Sequence, residues 1–434
     1  MRNLARLFFP QSKALGLGVD EGLSPGVMRK CVHLATKLPS FLSAQESIAE
    51  TIEVELTTKR VERLTERIGK ARVYEREIAT RQWEGPPLLQ KLTAPPGVKP
   101  PQVACVSYDG GRMQRCDLPE NAKSHWCETK VGILLEMKPS ESEGDSCPEL
   151  PDTFRNLAKM DKLTREIHLT AETLAPKGQM FGQANTGPTS NEHPLPNPIA
   201  EAREAVVFKP PEIVGRDVAA SLSDSRRFGK QLAARAWSLG FAAALVKAFV
   251  ADGQAANWGI WERHFKHLNF VPILDFIHAL TYVYAAAMAG RTQAEGGLVY
   301  LRWITWVWQG EVSQVIAELA ARAAELGPPP ADAGEADPRQ ILAGTLTYLV
   351  NQQSRMNYQD YRRQGLPITS SHIESAVKQI NQRVKGSEKF WTAAGGEALL
   401  QLRADQLSDT QPLPLFWIRR SRSATGTRTY TKAA

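Results

Sequence analysis

The chain has 434 residues, of which 42% are hydrophobic and 23% charged. That length predicts two or three domains and a core large enough to hold a buried site, and the composition excludes a wholly disordered chain, a collagen-like fibre and a coiled-coil rod. Lys and Arg number 53 against 46 Asp and Glu, a net +7 that permits an acidic partner such as nucleic acid without requiring one.

Ser24-Pro25 reads as a helix start, with Val27, Cys31, Leu34 and Leu38 repeating at helical spacing behind it. Ser43-Ala44-Gln45-Glu46 has the form of a capping box and predicts a second helix to about Thr51. Thr57 or Thr58 can cap a third, whose apolar face is Val61, Leu64 and Ile68 and whose other faces carry Lys59, Arg60, Arg63, Arg67 and Lys70. Three short helices ending in a basic one suggest a helix-turn-helix domain over 24–80; a small bundle with a solvated charged face is the bland alternative. Pro pairs at 86–87, 95–96 and 100–101 mark a linker over 81–101.

Val103–Tyr108 reads as a buried strand that ends at an Asp109-Gly110-Gly111 turn, with return strands at 112–116 and 130–137. A mobile loop is expected over about 138–205. Arg226–Ala244 predicts a helix, Val246–Ala251 a strand ending at Asp252, Trp258–His267 a helix, and Phe270–Leu274 a strand ending at Asp275. Helices near 277–290, 297–326 and 339–363 follow, then a helix carrying Glu374 to about Val384 and another from Gly395 to Leu407, ahead of a basic tail over 408–434. Cys31, Cys105, Cys116, Cys127 and Cys147 are odd in number and widely spaced, so they read as reduced thiols in a cytosol. Met1–Pro10 has too few apolar residues for a signal peptide, and the long apolar stretches carry Arg235, Lys247, Asp275 and His278, which argues against a membrane span.

Strands that each deliver an Asp, followed by a Glu on a later helix, suit hard divalent cations, which take oxygen ligands from a few carboxylates and from water and phosphate. Two such ions activate the attacking oxygen and stabilise the leaving oxygen of a phosphodiester. Asp109, Asp252 and Glu374 are the candidates, 143 and 122 residues apart, so only a fold unites them. Asp-Gly after a strand is also a common turn. Asp275, His278 and Glu128 are accessory candidates. Glu128 is as readily a structural ion-pair partner, and Trp126 reads as core.

Four blocks carry more than pattern. They are Ser107-Tyr108-Asp109-Gly110-Gly111-Arg112-Met113-Gln114 with Trp126-x-Glu128-x-Lys130-Val131-Gly132; Phe249-Val250-Ala251-Asp252-Gly253 with Asn257-Trp258 and Trp261; Val271-Pro272-Ile273-Leu274-Asp275-Phe276-x-His278-Ala279; and Tyr361-Arg362-x-x-Gly365-Leu366-Pro367-Ile368-Thr369-Ser370-Ser371-x-x-Glu374-Ser375 with Arg383-Val384-Lys385-Gly386. In this order and combination, from about Phe8 to Leu407, the chain resembles the ISKra group of insertion-sequence transposases, within the mutator-like DDE transposases.

The resemblance implies an α+β or α/β architecture: an RNase H-like catalytic core, a mixed five-stranded sheet with helices, over 102–280 and 364–407, with an all-α insertion over 281–363. It implies Asp109, Asp252 and Glu374 as a metal triad for two Mg²⁺ or Mn²⁺ ions, and water-driven cleavage followed by 3′-hydroxyl attack on target DNA. It also implies DNA as partner, both transposon ends and target, with Lys59, Arg60, Arg63, Arg67, Lys70, Arg383 and Lys385 on phosphates. A homo-oligomer on DNA in a prokaryotic cytoplasm, at the nucleoid and away from membranes, is expected. Relatives tend to carry a Cys-rich segment before the block that here reads Phe8-Phe9-Pro10…Leu15-Gly16-Leu17, whereas this chain has no cysteine before Cys31, so 1–23 is expected to be a shortened start. A catalytically inactive, co-opted DNA-binding derivative is the alternative.

Overall fold

The computed structural model describes residues 23–119, 121–139, 144–172 and 205–424. In chain order its helices and strands are α1 (Pro25–Lys37), α2 (Phe41–Ile52), α3 (Thr58–Glu84), α4 (Leu88–Lys91), β1 (Val103–Arg115), β2 (Trp126–Lys138), α5 (Asp152–Arg155), α6 (Leu157–Glu172), β3 (Glu212–Ser221), α7 (Ser225–Ser238), β4 (Val246–Ala251), α8 (Ala255–His264), β5 (Val271–Leu274), α9 (Phe276–Met288), α10 (Gln293–Trp308), α11 (Val312–Leu326), α12 (Pro338–Gln352), α13 (Tyr358–Arg363), α14 (Ser371–Val384), β6 (Phe390–Trp391), α15 (Ala393–Leu407) and α16 (Pro412–Ala424). The protein is therefore a mixed α+β fold. Among the described residues no helix is long and apolar enough to cross a membrane.

By internal packing the chain divides into two units. The first comprises 1–139, 211–273 and 370–434, and the second 140–210 and 274–369. In the first, the sheet runs β3-β2-β1-β4-β5, with β6 joined to β1. β1 pairs antiparallel with β2, β2 antiparallel with β3, and β1 parallel with β4, so the sheet is mixed. Helix α7 lies over one face, where Leu232 and Phe228 crowd Gly132. Helices α14 and α15 lie over the other, where Gly396 of α15 meets Met113 and Asn381 of α14 meets Gly111.

The N-terminal helices belong to this unit. Ser24 and Thr57 cap α1 and α3 as expected. The cap of α2 is Ser40, not Ser43: the Ser40 side chain takes the Ser43 amide, and the helix begins one turn earlier. Cys31, Val32, Ile48, Val61, Leu64 and Ile68 form their common core with Leu402 of α15 and Leu413, Phe416 and Trp417 of α16. That apolar contribution explains why Pro412–Ala424 is a helix rather than a tail; residues 425–434 lie outside the described residues. Further along α3, Gly69 abuts Ala398, and buried Arg72 pairs with Asp405 of α15 at 2.8 Å.

One expectation needs correction here. Asp109-Gly110-Gly111 is not a turn but the middle of the 13-residue strand β1. Neither glycine has a positive φ. Strand β3 stands at the edge of the sheet and, among the described residues, pairs with β2 alone.

The second unit is helical. The stretch 297–326 breaks into α10 and α11 at Gly310, whose φ of +82° stops the first helix. Phe154, Phe276, Trp308 and Tyr358 meet edge to face at its centre. Helices α5 and α6 occupy 152–172, within the expected loop, and 173–204 lie outside the described residues.

Candidate functional site

The parallel ladder places Ser107 opposite Val250. Two residues on, Asp109 in β1 and Asp252 just beyond β4 stand at the same level of neighbouring strands, whose backbones lie about 4.8 Å apart. β4 pairs with β1 over 103–107 and β6 over 114–115, so the Asp109 stretch lies between them, at the carboxyl end of β4. Crevices at the carboxyl ends of strands are where open sheets place ligands. The Gly253 φ of +97° lets the chain turn sharply there, and Asp252 Oδ1 accepts from the Gln254 amide at 3.0 Å and from Asn257 Nδ2 at 2.5 Å. Asn257 is buried, so it fixes the orientation of that carboxylate. Asp109 Oδ1 takes the Gly110 amide at 2.6 Å.

Side chains alternate along a strand, so Asp109 shares a face with Gly111, the face covered by α14. Asn381 of α14 and Glu374 are seven residues apart, two helical turns, and so lie on one side of that helix. Glu374 sits in the first turn, where the helix dipole favours a carboxylate. A Cβ on Gly111 would lie 2.6 Å from Thr129 Oγ1 and 3.0 Å from Asn381 Oδ1. Both oxygens are buried and, among the described residues, have no hydrogen-bond partner. The Tyr108 hydroxyl reports the field nearby: burial raises its pKa, and the carboxylates of Glu128, Asp109 and Asp252 push the same way.

The accessory candidates are held by different partners. Glu128 pairs with Arg112 across β1, on the face opposite Asp109, and is tied to Lys130. Asp275 and His278 lie in the second unit and hold each other: buried Asp275 caps α9 through the Ile277 amide, and its Oδ2 is 2.8 Å from His278 Nδ1. Trp126, expected in the core, is 38% exposed at the start of β2.

The expected phosphate contacts also divide. Lys59, Arg60, Arg63, Arg67 and Lys70 are all exposed on α3, with Lys59 paired to Glu62 and Lys70 to Glu66. Lys385 is exposed beyond α14. Arg383 is a correction. It is buried between the rings of Phe41 and Trp391, and it donates to the Ala35 and Pro39 carbonyls at the end of α1, so it does not face phosphates.

Asn257, Thr129 and Asn381 were not anticipated. Asn257 stands in the second block, five residues beyond Asp252, without a role assigned to it, and the signal for Asn381 is its spacing two turns beyond Glu374. Comparison of the chain with protein-family models and with curated protein sequences finds no match to either.

Proposed function

We propose that the chain is a DDE-type DNA transposase with an RNase H-like core, cutting DNA and joining the freed end to a target with divalent metal ions. The observation that carries this reading is the level placement of Asp109 and Asp252 on adjacent parallel strands, with Glu374 on the helix packed over the Asp109 face. The mixed sheet with helices on both faces supports the core assignment.

The residues present fit hydrated cations. Three half-buried carboxylates supply hard oxygen ligands, and the unpartnered oxygens of Thr129 and Asn381 can accept hydrogen bonds from water held there. Asp109, Asp252 and Glu374 would hold Mg²⁺ or Mn²⁺, which supplies charge neutralisation and an activated water at a phosphodiester. The chain's own contribution is positioning. Asn257 and the Gln254 amide fix the Asp252 carboxylate, and the lack of a side chain at Gly111 lets α14 approach β1. The exposed cations of α3 suit the DNA backbone. Action as a homo-oligomer on the nucleoid belongs to the same proposal.

The test uses purified chain, a duplex bearing the flanking inverted repeats, and Mg²⁺. The wild type is expected to nick and to join ends to a second duplex. Asp109→Asn, Asp252→Asn and Glu374→Gln are each expected to lower the rate by about 10²-fold or more while DNA affinity stays unchanged. Wild-type binding without nicking in Mg²⁺ or Mn²⁺ overturns the proposal in favour of an inactive DNA-binding derivative. Nicking without joining reduces it to a nuclease.

A further inference from the structure

Helix α1 contains four basic positions, Arg29, Lys30, His33 and Lys37, and no Asp or Glu. All four are exposed. Arg29, His33 and Lys37 recur every four residues and so form one stripe on the helix surface. Beside them lies Arg403 of α15, whose Nε donates to the Gln379 carbonyl of α14 at 3.3 Å and whose Nη1 donates to Gln406 at 3.1 Å. Gln406 in turn donates to the His33 carbonyl at 2.9 Å, which ties the two helices together. Arg383 beneath them bonds the last carbonyls of α1.

This surface is a concentration of unopposed positive charge. Among the described residues no carboxylate pairs with Arg29, Lys37, Arg383 or Arg403. Burial, then Lys37, Arg29 and Arg403, hold the His33 imidazole below its ordinary value. Burial and then Arg403 push the Arg383 guanidinium down to about 10. On α3, by contrast, Lys59 and Lys70 spend part of their charge on Glu62 and Glu66. Two further exposed lysines seven residues apart, Lys378 on α14 and Lys385 just past its end, belong to the segment whose first helical turn carries Glu374.

We propose that Arg29, His33, Lys37 and Arg403, continued by Lys378 and Lys385, form a phosphate track that holds the backbone of duplex DNA beside the helix carrying Glu374. The eight helical steps from Arg29 to Lys37 span about 12 Å, enough for three or four phosphates at about 3.4 Å per strand position, which a single small anion would not fill. The assignment of DNA as the polyanion rests on the proposed function.

The probe is a 30-base-pair duplex of mixed sequence, titrated without divalent metal from 50 to 200 mM KCl and read by fluorescence anisotropy. Arg29→Gln/Lys37→Gln changes two exposed side chains and should leave the fold intact. Affinity near 100 mM salt is expected to fall about tenfold or more, and the slope of log K against log salt to shrink by about 1.8. Lys162→Gln/Arg165→Gln removes the same charge from exposed positions of α6 that pair with Glu166 and Asp161, and is expected to bind as wild type. Wild-type binding by the α1 variant, an equal loss in the α6 control, or no wild-type binding at 50 mM salt each overturns the track. Binding that depends on Arg29 and Lys37, in a chain that never nicks DNA, would keep the track and sink the transposase reading.

Discussion

Gly69 of α3 lies directly against Ala398 of α15: a Cβ at position 69 would fall 2.6 Å from the Ala398 Cβ and 2.5 Å from its carbonyl oxygen. Backbone atoms cannot swing aside as a flexible side chain would. In an exposed helix Gly→Ala gains about 1 kcal/mol of propensity, whereas overpacking costs about 1–3 kcal/mol. Gly69→Ala is therefore expected to lower the unfolding free energy by up to about 2 kcal/mol in urea titration. A midpoint at or above that of the wild type would mean that α3 and α15 are not in this close contact.

His264 is buried against Gly229, and its Nε2 has no hydrogen-bond partner among the described residues. Burial, then His267, Arg263 and Lys230, push its pKa down to about 4, against a hydrogen bond to the Arg226 backbone that raises it. The folded pKa lies below the ordinary 6.5, so the unfolded chain takes the proton first. Stability from this group is complete above about pH 6.5, falls as the pH drops, and is lost by about pH 4. The shift corresponds to roughly 3 kcal/mol. His264→Phe, which keeps a flat ring and cannot titrate, is expected to flatten that part of the acid limb in unfolding titrations at pH 7 and pH 4.5. An equal decline in wild type and variant would assign the acid sensitivity to other groups.

Local signals were legible where the physics is local. Ser24 and Thr57 each cap a helix within three residues of themselves, and their reading needs nothing beyond that window. The Asp109-Gly110-Gly111 stretch was misread because its composition is that of a turn. What requires glycine at 111 is the approach of Thr129 and Asn381, 18 and 270 residues away, and no local window contains them. Arg383 failed in the same way. Its charge reads as surface, but two aromatic rings and the carbonyls of α1, some 350 residues earlier, take it inside. The acidic positions came from strand ends and from resemblance. The partners that orient them, Asn257 above all, are ordinary polar residues until the chain folds.

Arg362 in the second unit is a tighter case of a charge taken inside. Its side chain is fully buried, forks onto Asp145 at 2.8 and 2.7 Å, donates to the Trp308 carbonyl at 2.9 Å and lies 3.9 Å from the centre of the Trp308 ring. Burial alone would raise the Asp145 carboxyl, but the Arg362 hydrogen bonds, the Cys147 amide and the Arg362 charge outweigh it and hold the pKa below the ordinary carboxylate value. Asp145 thus contributes stability that is present at neutral pH and lost as the pH falls through its lowered pKa. Removing one member of such a pair strands the other, at a cost of about 3–5 kcal/mol, whereas an apolar pair of similar volume is close to neutral. Asp145→Ala is expected to cost that much in urea unfolding, and Arg362→Lys nearly as much, because an ammonium cannot reproduce the fork. Arg362→Met/Asp145→Leu is expected to lose less than the sum of the two single losses. A cost below about 1 kcal/mol for Asp145→Ala would place the pair with exposed ion pairs and leave the helical unit held by its aromatic centre alone.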